Sequence, residues 1–176
     1  MGFDLSGINP RINVELDDTT VYGMIESIED YEERWKIQGK LNSEDKSIFW
    51  EEHKIYHEQN PGLYFRNNVW WWRPLWEFVC YACDDILDQK DMTSGSYNDG
   101  HEISKKKSKL ISQRLHTLVK DGTVKQHEEE YEKDRKDLEN SDVDKDHKWA
   151  SNYPFSEENV IAFGEFCEES GGFIIC

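Results

Sequence analysis

Residues 64–76 concentrate side chains that can bind a small molecule. They include three adjacent tryptophans between Arg66 and Arg73, with two asparagines beside them. Aromatic rings stack on planar groups, and the guanidinium of arginine binds phosphates or carboxylates through two parallel hydrogen bonds. Together these groups are the components of a nucleotide-type pocket. The alternative is that the tryptophans pack in the core and the arginines neutralise acidic neighbours.

Strand-forming residues dominate the stretch from Leu63 to Arg73, and Pro74 then sits where a helix can start. In a strand, Trp70 and Trp72 would face one side while Trp71 and Arg73 faced the other. At least one indole would therefore share a face with a guanidinium or an amide. Two polar residues of the loop described next complete the predicted ligand-binding site, which comprises Tyr64, Arg66, Asn67, Asn68, Trp70, Trp71, Trp72, Arg73, Asn98 and His101.

A second group with possible chemistry lies in residues 97–102, where a turn signal precedes a histidine and a glutamate. His101 and Glu102 could exchange protons near neutral pH. Carboxylates near a helix start are also ordinary partners of the helix dipole, and we favour that structural role. No nucleophile elbow, phosphate-binding loop or dinucleotide fingerprint is present, which favours a binding protein over an enzyme.

Metal binding is a further question, because Cys80 and Cys83 have C-x-x-C spacing and His53 and His57 are four residues apart. The two pairs could in principle supply the four ligands of a zinc ion. However, both cysteines lie in the most apolar predicted helix, where cysteine behaves as a small hydrophobic residue. We therefore predict neither a metal nor a cofactor.

Apolar spacing predicts several helices around a small sheet. Residues 75–87 are apolar nearly all round and predict a buried helix, and Ser156 can cap the last one. Predicted strands are the two ends of the chain, the first of them at a sheet edge, and the tryptophan run. The expected fold is α+β: a helix-dominated single domain over residues 1–176, with a small, mostly antiparallel sheet. Residues 11–60 are expected to form a helical insertion, and 140–150 a flexible linker before the terminal helix.

The chain is strongly acidic, with 37 Asp and Glu against 21 Lys and Arg and a net charge of −16. Such a field repels nucleic acid and anionic membranes and attracts basic protein surfaces. No stretch is apolar enough to span a membrane, and no export signal is recognisable at the start. We therefore expect a cytoplasmic protein with reduced cysteines, which could form homo-oligomers.

Four segments resemble a family of uncharacterised bacteriophage and prophage proteins. They are residues 1–10, the run YFRNNVWWWRPLW at 64–76, residues 98–104 and residues 153–173. The resemblance covers about half of the chain, and the tryptophan run is its most specific part. Several members of that family carry a zinc ribbon before the terminal helix, whereas residues 141–148 contain no cysteine here. The resemblance implies a phage accessory protein in bacterial cytoplasm.

Three functions follow as hypotheses. The leading one is a non-enzymatic counter-defence protein that sequesters a small nucleotide-type ligand between the tryptophans and arginines. The alternative is an acidic inhibitor or nucleic-acid mimic, in which residues 26–33 and 128–146 cover a basic surface of a host protein. The third is an enzyme that cleaves nucleotides with His101 or Glu102.

Overall fold

The computed structural model describes residues 2–140 and 149–176, and the predicted linker at 140–150 lies largely outside these ranges. The chain divides into two compact units. The first unit comprises Met1–Arg11 and Gly62–Cys176, and the second comprises Ile12–Pro61. Residues 11–60, predicted as a helical insertion, coincide almost wholly with the second unit. In chain order the elements are β1 (Gly2–Gly7), α1 (Val21–Glu26), α2 (Tyr31–Lys40), α3 (Ser43–Gln59), β2 (Tyr64–Asn68), α4 (Val69–Ala82), α5 (Gln89–Ser94), β3 (His101–Ile103), α6 (Lys105–Lys120), α7 (Thr123–Asn140), a 3₁₀ turn (Trp149–Asn152), α8 (Glu157–Glu169) and β4 (Phe173–Ile175).

The described elements confirm a helix-dominated α+β fold with a four-stranded antiparallel sheet. The strand order is β2-β1-β4-β3, so both predicted terminal strands exist. The prediction that the first of them is an edge strand is wrong, because β1 pairs with β2 on one side and β4 on the other. No described helix has the length and apolar character that crossing a membrane requires.

The core of the first unit forms between the sheet and helices α4, α6 and α8. On β1, Phe3 and Leu5 alternate with more exposed residues and are buried, as a half-buried strand requires. The phenyl rings of Phe163 on α8 and Phe173 on β4 meet at a centroid distance of 5.8 Å. Ser156 accepts a hydrogen bond from the amide of Asn159 and caps α8, as predicted.

The tryptophan run is not a strand, contrary to the prediction. Strand β2 ends at Asn68, whose side-chain oxygen accepts hydrogen bonds from the amides of Trp70 and Trp71. This cap starts α4 at Val69, and Pro74 lies inside the helix instead of at its start. A well-placed cap and burial of an apolar face outweigh the strand preference of adjacent aromatic residues, which is a weak preference on its own.

The second unit contains α1, α2 and α3 around a small core of Tyr22, Ile25 and Phe49. Its two ends are joined by Asn60, which is fully buried. The side-chain oxygen of Asn60 accepts hydrogen bonds from the amides of Asn13 and Val14. Its side-chain nitrogen donates to the carbonyls of Val14 and Tyr56. This asparagine therefore satisfies the polar groups where the chain enters and leaves the unit.

Candidate functional site

Helix α4 distributes the predicted binding residues over different faces. Because residues three and four apart share a helix face, Trp72 lies with Trp76, and Trp70 lies with Arg73. The strand alternation predicted for Trp70 to Arg73 is therefore wrong. Trp72 and Trp76 are buried, Trp71 is half-buried, and Trp70 and Arg73 are exposed. Only part of the tryptophan run is thus available to a ligand.

Trp72 is the centre of the core and not a surface platform. Its indole stacks between Phe3 and Trp76, at a centroid distance of 5.3 Å from each ring. Its indole nitrogen donates a 2.7 Å hydrogen bond to the carbonyl of Gly95. A buried tryptophan needs such an acceptor for its N–H, and this one ties α4 to the end of α5.

Arg73 lies in an aromatic environment on the surface of the first unit. Its Nη1 donates a 3.2 Å hydrogen bond to Tyr153 Oη, and its guanidinium carbon lies 5.8 Å from the centroid of that ring. Trp70 and Trp149 contact the same tyrosine, with ring centroids 4.8 and 5.3 Å away. Tyr153 therefore holds the guanidinium in place through a hydrogen bond and a cation–π contact.

A concavity of about 490 Å³ opens beside Arg73, between α4 on one side and α5 with the residues that follow it on the other. This volume lies within the range of small-molecule sites. Two members of the lining are well exposed and able to meet a ligand: the carboxylate of Glu77, one turn after Arg73, and the ring of Tyr97, which is 61% exposed. The full lining is Trp72, Arg73, Trp76, Glu77, Cys80, Met92, Ser96 and Tyr97.

Arg73 differs from the other arginines in its electrostatic environment. The chain contains six arginines, and all of them lie in the described ranges. Five have a carboxylate within 4.0 Å, at distances between 2.5 and 3.4 Å: Arg11, Arg34, Arg66, Arg114 and Arg135. Arg73 has no carboxylate partner among the described residues, in a chain where acidic side chains are in large excess. Its charge is therefore available to an anion.

Tyr64 and Arg66 form a separate contact on β2. Asp4 lies opposite Arg66 in the register of β1 and β2. The Tyr64 hydroxyl donates to Asp4 Oδ1, and Arg66 Nε lies 3.4 Å from the same oxygen. Partial burial, followed by the Asp4 carboxylate, raises the pKa of Tyr64 to about 12. These two predicted residues are engaged in a cross-strand pair, a usual device for stabilising a sheet.

The three predicted asparagines each have a structural partner. Asn68 is the cap of α4. Asn67 donates to the side-chain oxygen of Asn159 at 3.0 Å, which joins β2 to α8. Asn98 donates to the carbonyl of Gly2 at 2.7 Å, which fixes the loop before β3. The structure therefore does not bring these amides together around one ligand.

His101 belongs to a partly buried polar network. Its Nε2 lies 2.8 Å from Asp91 Oδ1, and Lys107 donates to the other oxygen of Asp91. Asp91 also closes the capping box of α5 with Asp88. Burial acts to raise the pKa of Asp91, but the hydrogen bonds from Lys107 and His101 outweigh it and leave that pKa lowered. The network joins α5, β3 and α6, so its geometry is that of a structural tie.

The cysteines and histidines considered for zinc have the environments of packed residues. Burial raises the pKa of the Cys80 and Cys83 thiols to about 12, which disfavours the thiolate that a metal needs. His53 and His57 lie in the second unit, with ring centroids 4.3 Å apart. Among the described residues, no three or more histidines, cysteines or carboxylates are grouped so as to hold a metal ion.

The sequence did not identify several residues of the concavity and of the aromatic environment of Arg73. Glu77 could have been found, since it follows Arg73 by one helical turn once α4 is assigned correctly. Tyr97 precedes the predicted loop residue Asn98 directly. No local signal reveals Tyr153, which reaches Arg73 from 80 positions further along the chain.

Comparison with family models, with curated proteins and with solved structures gave no match. The resemblance to phage proteins therefore stays a prediction.

Proposed function

We propose that this protein is a non-enzymatic binding protein that holds a small anionic ligand with a planar ring, of the nucleotide type, in the concavity beside Arg73. The observation that carries the proposal is the exposed guanidinium of Arg73, which has no carboxylate partner among the described residues. One of its five N–H groups donates to Tyr153, which leaves four for a phosphate or carboxylate.

The remaining lining supports a ligand of this class. The exposed ring of Tyr97 offers a face for stacking, and the partly buried side chain of Met92 offers apolar surface. The carboxylate of Glu77 can accept hydrogen bonds from the N–H groups of a base. Because Tyr153 orients the guanidinium before a ligand arrives, less side-chain entropy is lost on binding.

Within an infected bacterium, such a protein would act by sequestration. We propose, from the resemblance to phage proteins, that it is phage-encoded and withdraws a signalling nucleotide from a host defence in the cytoplasm. No turnover is required for that role, because a stoichiometric complex is enough to lower the free concentration of the ligand.

The test is isothermal titration calorimetry of the full-length protein with AMP, GMP and a cyclic dinucleotide. Arg73→Gln is expected to weaken binding by about 10-fold or more, since a hydrogen bond to a charged group contributes about 1.5–3 kcal/mol. Arg66→Gln is the matched control, because Arg66 is already paired with Asp4, and it should stay within about twofold.

Three results would overturn the proposal, two of them from the binding experiments. One is an absence of heat and of tryptophan fluorescence change with every nucleotide of the panel. The other is equal weakening by Arg66→Gln and Arg73→Gln, which would show that general charge, and not the concavity, determines affinity. Chromatography of the ligand after incubation should recover it unchanged, and a cleaved product would identify an enzyme instead.

A further inference from the structure

Helix α2 in the second unit has an aromatic face that the described residues leave largely exposed. None of its ten residues is buried. Tyr31 and Trp35, four residues apart and therefore on one face, are 70% and 69% exposed. Exposed tryptophan and tyrosine are costly in water, and these two residue types are enriched at the energetic centres of protein interfaces.

The charge around this face is negative and concentrated. The second unit, Ile12–Pro61, holds 13 acidic and five basic side chains. Its net charge of −8 is half of the −16 of the chain, carried by well under a third of its residues. Glu29 and Glu32, which lie just before and just after Tyr31 in the sequence, are both exposed.

Two basic side chains of α2, Arg34 and Lys36, are each paired with a carboxylate of the unit, and Lys36 Nζ lies 3.6 Å from Glu32. Arg34 forms a 2.5 Å ion pair with Glu26, and its guanidinium carbon lies 5.7 Å from the centroid of the Tyr31 ring. Its positive charge is therefore neutralised by a carboxylate within the unit. The face thus presents aromatic anchors within a negative field.

We infer that the Tyr31–Trp35 face is a docking surface for a basic segment of a partner protein. The apolar side chains of the segment would cover the two rings, while its lysines and arginines met the surrounding carboxylates. We choose a basic partner because its positive charge complements the negative charge of the second unit. A second copy of this chain would bring another −8 against the same surface, and an anionic membrane would be repelled. The inference is independent of the concavity at Arg73.

The experiment uses the full-length protein and a synthetic helical peptide of about 18 residues made of leucine and lysine, with a leucine and glutamate peptide as the charge control. Calorimetry should detect binding of the leucine and lysine peptide and no binding of the leucine and glutamate peptide. The double variant Tyr31→Ser/Trp35→Ser should bind it about 10-fold more weakly or worse, as expected for the loss of interface anchors. Trp149→Ser removes an exposed tryptophan from the first unit and is the matched control, with an expected change below about twofold.

A second variant keeps the rings and changes the charge. Glu29→Lys/Glu32→Lys should also weaken the basic peptide, and raising NaCl from about 50 to about 300 mM should weaken binding to the unaltered protein. Circular dichroism of each variant checks the fold. Equal affinity for the unaltered protein and the serine double variant would refute the surface. Sedimentation showing a dimer that only the serine double variant dissociates would assign the face to a second copy and overturn the inference.

Discussion

The histidine pair of α3 makes the second unit sensitive to acid. His53 and His57 contact each other, and His57 Nε2 lies 3.3 Å from the hydroxyl of Tyr22. Burial, followed by the neighbouring His53, lowers the pKa of His57 from 6.5 to about 4. Burial also lowers the pKa of His53. The folded unit therefore favours neutral imidazoles, whereas the unfolded chain accepts protons at ordinary pH values.

The sign of the effect follows from the direction of this shift. The contribution of His57 to stability is complete above its unfolded pKa of 6.5 and is lost as the pH falls from 6.5 towards 4. Without solvent screening, the shifted pKa of His57 would lower the free energy of unfolding by about 2 kcal/mol between pH 7 and pH 5. Because the side chain is only partly buried, solvent screening reduces this loss, and we expect about 1 kcal/mol.

Urea unfolding at both pH values, followed by circular dichroism, measures this loss. His57→Gln cannot titrate, so its free energy of unfolding should fall by about 1 kcal/mol less than that of the unaltered protein. The contribution of the carboxylates is common to both proteins and cancels in the difference. Equal pH dependence, within about 0.3 kcal/mol, would refute the claim that burial of this imidazole is linked to stability.

Three further predictions concern the first unit. Trp72→Phe should lower the free energy of unfolding by about 2–3 kcal/mol in urea titrations, because a buried carbonyl loses its donor and a void remains. Gly171→Ala should cost about 2 kcal/mol or more in the same assay, since its φ is +64° and an added Cβ would lie 2.1 Å from the Asn9 carbonyl oxygen. Cys176 should react with a thiol reagent in the folded protein, while Cys83, whose pKa burial raises to about 12, should react only after unfolding. Fast labelling of Cys83 in the folded state would contradict the structure.

The sequence predicted the elements whose signals are local. Alternation of Phe3 and Leu5 marked β1, and Ser156 marked the start of α8, because a strand face and a helix cap are each encoded within a few residues. The three-residue strand β3 was not predicted. It depends on pairing with β4, whose Phe173 lies opposite Ile103, and such a partner leaves no trace in the local pattern.

The sequence predicted only the part of the candidate site that is encoded locally. Arg73 stood out because its residue type and neighbours were visible in one segment. The sequence could not show that Arg66 would be paired across the sheet with Asp4, or that Tyr153 would contact Arg73. Both depend on strand register and helix packing. The strand prediction for residues 69–73, which form the first turn of α4, also placed Trp72 on a face open to a ligand, whereas the cap at Asn68 starts a helix that buries this tryptophan.

The acidic excess of the chain gives the two proposed surfaces different responses to salt. An anion that approaches Arg73 is repelled by the net charge of −16, and salt screens this repulsion as well as the attraction to Arg73, so its affinity should change little. A basic segment that approaches the Tyr31–Trp35 face is attracted by the same field, so screening lowers its affinity. A single NaCl titration with a nucleotide and the basic peptide as parallel probes therefore separates the surfaces. If both affinities fell together and to the same extent, the contacts of Arg73 with the anion would have to be long-range and nonspecific, and the proposal that Arg73 binds the nucleotide would be refuted.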